Sequence, residues 1–235
     1  FDIFEDSDHD LWIGGVNGEY VCYQIKENSF KTFSEEPVSS FSQFSPTQIL
    51  VGHSYGLSIL DKQTSHIEKF LTGIVVQEIL TIGDKIWICT SGEGLIEFNP
   101  ETGTINKFTT KSGLPSNFIN CFIYAGDYLW LGTENGLCRF DPVEKTARVF
   151  SSISPLSSIS FNKSAVTALK NGQLAWGTSK GVLLFTPDSL SENTAKGRIF
   201  FQDFTVAGRS IRDTSLFNLQ VPVDELENVE LKYFQ

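Results

Sequence analysis

Asp6-Ser7-Asp8-His9-Asp10 sets three carboxylates at alternate positions, the spacing with which a loop chelates calcium. An EF-hand loop also needs glycine at its sixth position and glutamate at its twelfth, and both are missing, so the run reads as a solvated turn bonding its own backbone. Cys22, Cys89, Cys121 and Cys138 show no Cys-x-x-Cys spacing and no neighbouring histidine. Each falls in an apolar run, which favours small buried hydrophobes over zinc ligands, with a disulfide as the alternative. His9, His53 and His66 are far apart, and neither a Gly-x-Ser-x-Gly elbow nor a phosphate-cradling loop occurs. No catalytic constellation, metal site or cofactor is therefore expected. Trp12, Trp87, Trp130 and Trp176 could stack on sugar rings. Their recurrence at one place in a repeated motif points instead to packing.

That motif is Leu129-Trp130-Leu131-Gly132-Thr133-Glu134-Asn135-Gly136-Leu137. Variants are Leu11-Trp12-Ile13-Gly14, Ile49-Leu50-Val51-Gly52, Ile86-Trp87-Ile88-Cys89 and Leu174-Ala175-Trp176-Gly177, each an apolar triplet running into a small residue. Turn glycines follow at Gly18, Gly56, Gly94, Gly136 and Gly181, and an aromatic closes the first four units at Phe33, Phe70, Phe108 and Phe150. Anchors at 12, 50, 87, 130 and 175 lie 37 to 45 residues apart. A period of this size, built from short apolar runs and Gly turns, is that of a β-propeller blade. The fold class expected is all-β: five four-stranded blades over 1–190, part of a larger ring, since seven blades of ~42 residues need more chain than this.

After Phe185 the landmarks stop. Residues 191–198 are polar and read as a linker, and Phe200–Gly208, Leu216–Val223 and Val229–Phe234 are strand-like runs without blade landmarks, read as the start of a second β-domain over 199–235. The chain of 235 residues is 40% hydrophobic and 20% charged, enough for a sizeable core. No apolar run approaches the ~20 residues of a membrane helix, and the start is neither basic nor apolar, so a signal peptide or membrane anchor is expected outside this segment. The formal charge of −10 argues against nucleic acid or anionic lipid as partners. Methionine is absent and the first residue is Phe1, which fits a piece of a longer gene product.

Ligand contacts are best sought on loops. In a propeller the turn after the second strand and the crossover between blades share one face. That face would present His53, Tyr55, Glu93, Ser116, Asn117, Glu134, Asn135 and Lys180. His53 and Tyr55 depart most from the Thr-x-x-Gly pattern of the other turns.

The Leu129–Leu137 motif together with Gly113-Leu114-Pro115-Ser116-Asn117 resembles the two-component-regulator propeller repeat of extracytoplasmic sensors in hybrid two-component systems. The segment after 190 is similar to the start of the three-tyrosine immunoglobulin-like domain that follows those propellers. The resemblance implies seven-bladed propellers, often in tandem, a periplasmic location, a downstream membrane segment and a cytoplasmic histidine kinase. It implies a non-catalytic ectodomain that binds an oligosaccharide, and a homodimer through the ectodomain is the expected assembly. Leu50 and Ala175 stand where the family has tryptophan, Cys89 stands for a glycine, and this chain has no kinase signature. Two other classes fit the fold: a propeller lyase acting on polysaccharides or lactones, and a protein-interaction scaffold.

Overall fold

Alternation of apolar residues with Gly and Asn-Gly breaks gives short strands joined by tight turns. The computed structural model describes residues 2–150 except 16 and 35, 159–190, and 205–210 except 207. The chain divides into two compact units, 1–190 and 191–235.

In the first unit the strands run β1 Ile3–Glu5, β2 Leu11–Gly14, β3 Glu19–Gln24 and β4 Ser29–Ser34; then β5 Val38–Ser45, β6 Gln48–His53, β7 Gly56–Asp61 and β8 Ile67–Thr72. They continue as β9 Val76–Ile82, β10 Lys85–Thr90, β11 Leu95–Asn99 and β12 Thr104–Phe108; β13 Ile119–Ala125, β14 Tyr128–Thr133, β15 Gly136–Asp141 and β16 Thr146–Val149; and β17 Phe161–Ala168, β18 Leu174–Thr178 and β19 Gly181–Phe185. Each sheet is a sequential antiparallel meander, four strands wide in blades 1 to 4 and three among the described residues of blade 5. The inner strand of blade 2 is the eight-residue β5, with register shifts near both ends. In the second unit the described residues hold one short pairing, β20 Thr205–Val206 with β21 Arg209–Ser210. The linker and immunoglobulin-like assignments fall mostly outside the described residues.

The pleat decides which blade each side chain faces. Trp12 packs with Val38, Phe41 and Ile49 of blade 2, Leu50 with Ile79 and Ile86 of blade 3, Trp87 with Phe122 and Leu131 of blade 4, and Trp130 with Phe161 and Trp176 of blade 5. Anchors therefore face the next blade, and the residues beside them face the previous one. Trp176 is displaced by one. Its cross-strand partners, Val166 and Leu183, put it in the register of Leu131, so it fills the blade 4–5 interface from the far side while Ala175 holds the anchor place. All four indoles are at most 2% exposed, and burying an aromatic withdraws about 150–250 Å² from water, roughly 4–6 kcal/mol before entropic costs. The small residue after each triplet has the same cause: a Cβ at Gly14, Gly52 or Gly132 would lie 2.9, 2.6 or 2.8 Å from Val38, Val76 or Phe161 on the next inner strand.

Along the inner strands a polar side chain staples each blade to its successor. Asp2 Oδ2 accepts from Phe41 N at 2.8 Å, Ser40 Oγ from Ile79 N at 3.2 Å, and Glu78 Oε2 from Phe122 N at 3.0 Å; Asn120 Nδ2 donates to Phe161 O at 2.9 Å. Asp2, Ser40 and Glu78 sit opposite the small residue, at Gly14, Gly52 and Cys89, whereas Asn120 lies in a bulge between Ile119 and Cys121, the partner of Gly132. Burial, opposed by the Phe122 bond and reinforced by the charge of Asp2, pushes the half-buried Glu78 carboxyl up to about 7.

Candidate functional site

The turn between the second and third strands is locked by a buried threonine. Thr90, Thr133 and Thr178 each donate Oγ1 to the carbonyl of the turn glycine at 2.7 Å and accept the backbone N–H of Glu93, Asn135 and Lys180 at 3.0, 3.1 and 3.2 Å. The lock turns the side chains just before the glycine outward. Glu134, Asn135 and Lys180 are exposed, as is Glu93, which pairs with Lys107 at 2.8 Å.

The crossover 109–118 then joins the turns of blades 3 and 4. Asn117 O accepts from Gly92 N at 3.1 Å and Gly94 N at 3.0 Å, and its Oδ1 accepts from Thr110 N at 2.9 Å. On the other side Asn135 Nδ2 donates to Pro115 O at 3.2 Å, and Glu134 N to Phe118 O at 3.2 Å. Glu93, Asn117, Glu134 and Asn135 thus share one patch. Tyr55, 63% exposed, projects from the equivalent turn of blade 2, where its carbonyl accepts from Gly73 N at 2.8 Å; Lys180 projects from that of blade 5.

Two residues expected on this face point inward. His53 is 2% exposed because it stands where the other turns have the inward-pointing threonine; its Nε2 lies 3.0 Å from Ser58 Oγ and its Nδ1 has no hydrogen-bond partner. Burial and then the charge of Lys69, against the opposing pull of Glu36, hold its pKa below the ordinary histidine value, so the ring is neutral at pH 7. Ser116 is 5% exposed and its Oγ accepts from Phe118 N at 3.0 Å, closing the crossover turn.

Sequence reasoning missed Phe118. It immediately precedes the inner strand β13, yet it is 43% exposed, its ring beside Gly92 and its carbonyl bonded to Glu134. An exposed aromatic flanked by carboxylates and an amide offers an apolar platform and directional hydrogen bonds, the usual pairing in a small-molecule site. No signal in a single sequence separates it from the buried apolar residues that follow.

Other candidates are structural. Asp6 is 4% exposed and accepts from Asp8 N, Asp10 N, Trp12 Nε1 and Lys62 Nζ at 2.8, 3.1, 2.9 and 3.0 Å. The acidic run therefore anchors a tryptophan and a neighbouring blade. All four cysteines are free and buried, and burial pushes the thiols of Cys22, Cys121 and Cys138 up to about 12 and that of Cys89 well above its ordinary value, so none is a thiolate at neutral pH.

No family model matches the chain. Among solved structures, the extracellular domain of a proposed one-component system, BT4673, from B. thetaiotaomicron matches with a TM-score of 0.67 and 20% identity, over 80% of this chain and 26% of that one. That of a proposed hybrid two-component system, BT3049, from the same organism matches with a TM-score of 0.59 and 18% identity, over 84% of this chain and 37% of that one. The chain shares their propeller fold. A curated relative, histidine kinase P4 of Formosa agariphila, is 21% identical over 234 residues, covering 88% of this chain and 17% of that protein. This chain thus spans less than a fifth of that kinase and about a quarter of the first structure. Among the described residues no helix is long and apolar enough to cross a membrane.

Proposed function

We propose that this chain is a non-catalytic, ligand-sensing segment of the periplasmic domain of a hybrid two-component histidine kinase, and that the ligand is an oligosaccharide. The shared fold with sensor ectodomains supports the first part. The second rests on the patch of blades 3 and 4, where Phe118 supplies an exposed aromatic face beside Glu134 and Asn135, with Tyr55 and Lys180 on flanking turns. In this reading the membrane anchor and kinase lie elsewhere in the protein, the ectodomain pairs as a homodimer, and the immunoglobulin-like domain over 199–235 couples ligand binding to the membrane. The five blades belong to a seven-bladed ring. Support for the ring comes from its open ends: Ile3 and Phe30 on blade 1, and Val182 and Leu184 on blade 5, are 59%, 67%, 72% and 51% exposed on sheet faces that are buried between the other blades.

A thermal-shift screen of the ectodomain against glycan fragments tests the ligand class. A fragment at 100 times its dissociation constant adds about 2.7 kcal/mol to stability, and Phe118→Ala should abolish that gain while leaving the unliganded protein folded. A gain that persists in Phe118→Ala places the ligand elsewhere. Turnover of a glycan or lactone without added enzyme would instead make the protein a lyase, and no response to any glycan would leave an interaction scaffold.

A further inference from the structure

On the rim opposite the turn face, two inter-blade grooves among the described residues are filled by the chain's own cations. Between blades 1 and 2, Lys62 from the β7–β8 turn reaches Asp6 at 3.0 Å and Asp8 at 2.6 Å. Between blades 3 and 4, Lys145 from the β15–β16 turn reaches Glu97 at 2.7 Å with its Nζ 4.7 Å from the centroid of the Trp87 ring. In blade 4 the guanidinium of Arg139 lies 4.2 Å from the centroid of Tyr128. The recurring arrangement is a cation held on an aromatic ring, a carboxylate, or both.

The groove between blades 2 and 3 lacks that cation. Its turn is Asn99-Pro100-Glu101-Thr102-Gly103, with no basic residue. What remains is a cavity of about 180 Å³ with Phe44, Phe70 and Pro100 for apolar walls and Gln48, Glu68 and Glu101 as polar lining. No ion pair reaches Glu68 or Glu101 among the described residues. Phenylalanine rings attract positive charge at their faces, and two unpaired carboxylates favour a cation and reject anions. The volume admits a body of a few carbons and excludes a helix or strand.

We propose that this groove binds a small organic ammonium, a primary amine carried on an apolar stem, in the place that Lys62 and Lys145 occupy in the neighbouring grooves. The amine is held by charge to Glu68 and Glu101 and by the rings of Phe44 and Phe70. This site is separate from the glycan patch, and its test does not depend on that reading.

The test is an amide-resolved NMR titration of the 235-residue chain with n-butylammonium chloride, beside n-butanol and sodium chloride. Saturable shifts confined to the amides around Gln48, Phe70 and Glu101, absent with butanol or salt, are expected. The Glu68→Gln, Glu101→Gln double variant, altered at two exposed side chains, should weaken binding at least tenfold, about 1.4 kcal/mol. Equal shifts with butanol, undiminished binding in the double variant, or no saturation up to about 50 mM, where affinity is too weak to matter, would overturn the site. A short peptide with one lysine that binds tenfold more tightly than butylammonium would assign the groove to a partner protein and overturn the small-molecule assignment.

Discussion

Blade 3 contains a matched pair of glycines that separates conformational strain from steric clash. Gly94 has φ 78° and Gly103 φ 69°, both in the left-handed region that costs an L-residue about 1–2 kcal/mol. Around Gly103 an added Cβ meets nothing within 4 Å. At Gly94 it would lie 2.1 Å from Phe108 O, roughly 1 Å or more inside van der Waals contact. The backbone there cannot move freely, since Gly94 N donates to Asn117 O at 3.0 Å and Gly94 O accepts from Thr90 Oγ1 at 2.7 Å. Relief must come from the β11–β12 ladder beside Leu95 and Phe108, at a cost of about two hydrogen bonds worth ~1 kcal/mol each. Gly103→Ala should therefore cost about 1–2 kcal/mol and Gly94→Ala about 3–4 kcal/mol. In a propeller of this size those losses lower Tm by about 2–8 °C and 6–16 °C. Calorimetry of the 235-residue chain at neutral pH decides it. Equal losses, or the larger loss at Gly103, would refute the claim that the turn face is rigidly tied to the crossover.

Three other outcomes are expected. Glu78, with its pKa raised to about 7, holds its proton between the unfolded value near 4.3 and 7, so its burial penalty grows as pH rises through that window and is complete above it. Glu78→Gln, which keeps an acceptor for Phe122 N, should stabilise by on the order of 2 kcal/mol at pH 8 and by almost nothing at pH 4; an equal gain at both contradicts the linkage. For Glu97, 3% exposed, burial raises the pKa, but bonds from Lys145, Lys85 and Asn106 outweigh it and the net shift is downward, giving stability that is present above the ordinary carboxylate range and lost as pH falls through the lowered value. Lys145→Ala should cost about 1–3 kcal/mol at pH 7, a deficit that narrows in acid, and denaturant titrations at both pH values would expose a pH-independent loss. A fragment of residues 1–190 should associate reversibly through its open sheet faces, and Val182→Lys with Leu184→Lys should make it monomeric in sedimentation without lowering Tm; a fragment monomeric before substitution argues against apolar ends that need a neighbour.

What could be read beforehand was whatever repeats. The triplet, the small residue and the turn glycine recur because each blade must present the same pleated face to the next, so one geometric demand writes itself into the sequence five times. The Thr-x-x-Gly pattern was visible in the same way, though not the lock it forms, and so was its exception. His53 broke the Thr-x-x-Gly pattern, but the sequence did not show that the broken position points inward; only the pairing of Gly56 with His53 and the bond to Ser58 settle the direction. Trp176 misled for a related reason. A tryptophan one residue beyond the anchor looks like the same landmark, yet a shift of one along a strand exchanges its two faces, and the indole fills the interface from the opposite blade. The polar staples were illegible because their chemistry differs from blade to blade: Asp2, Ser40, Glu78 and Asn120 share a task, but neither a residue type nor one register position. The same holds for the grooves of the far rim, where Lys62 and Lys145 come from different positions of two turns that are each led by an aspartate, Asp61 and Asp141. A function carried by geometry alone leaves no spacing to find, and for this reason both the exposed Phe118 and the cavity at Phe44 and Phe70 emerge only once neighbouring blades are set side by side.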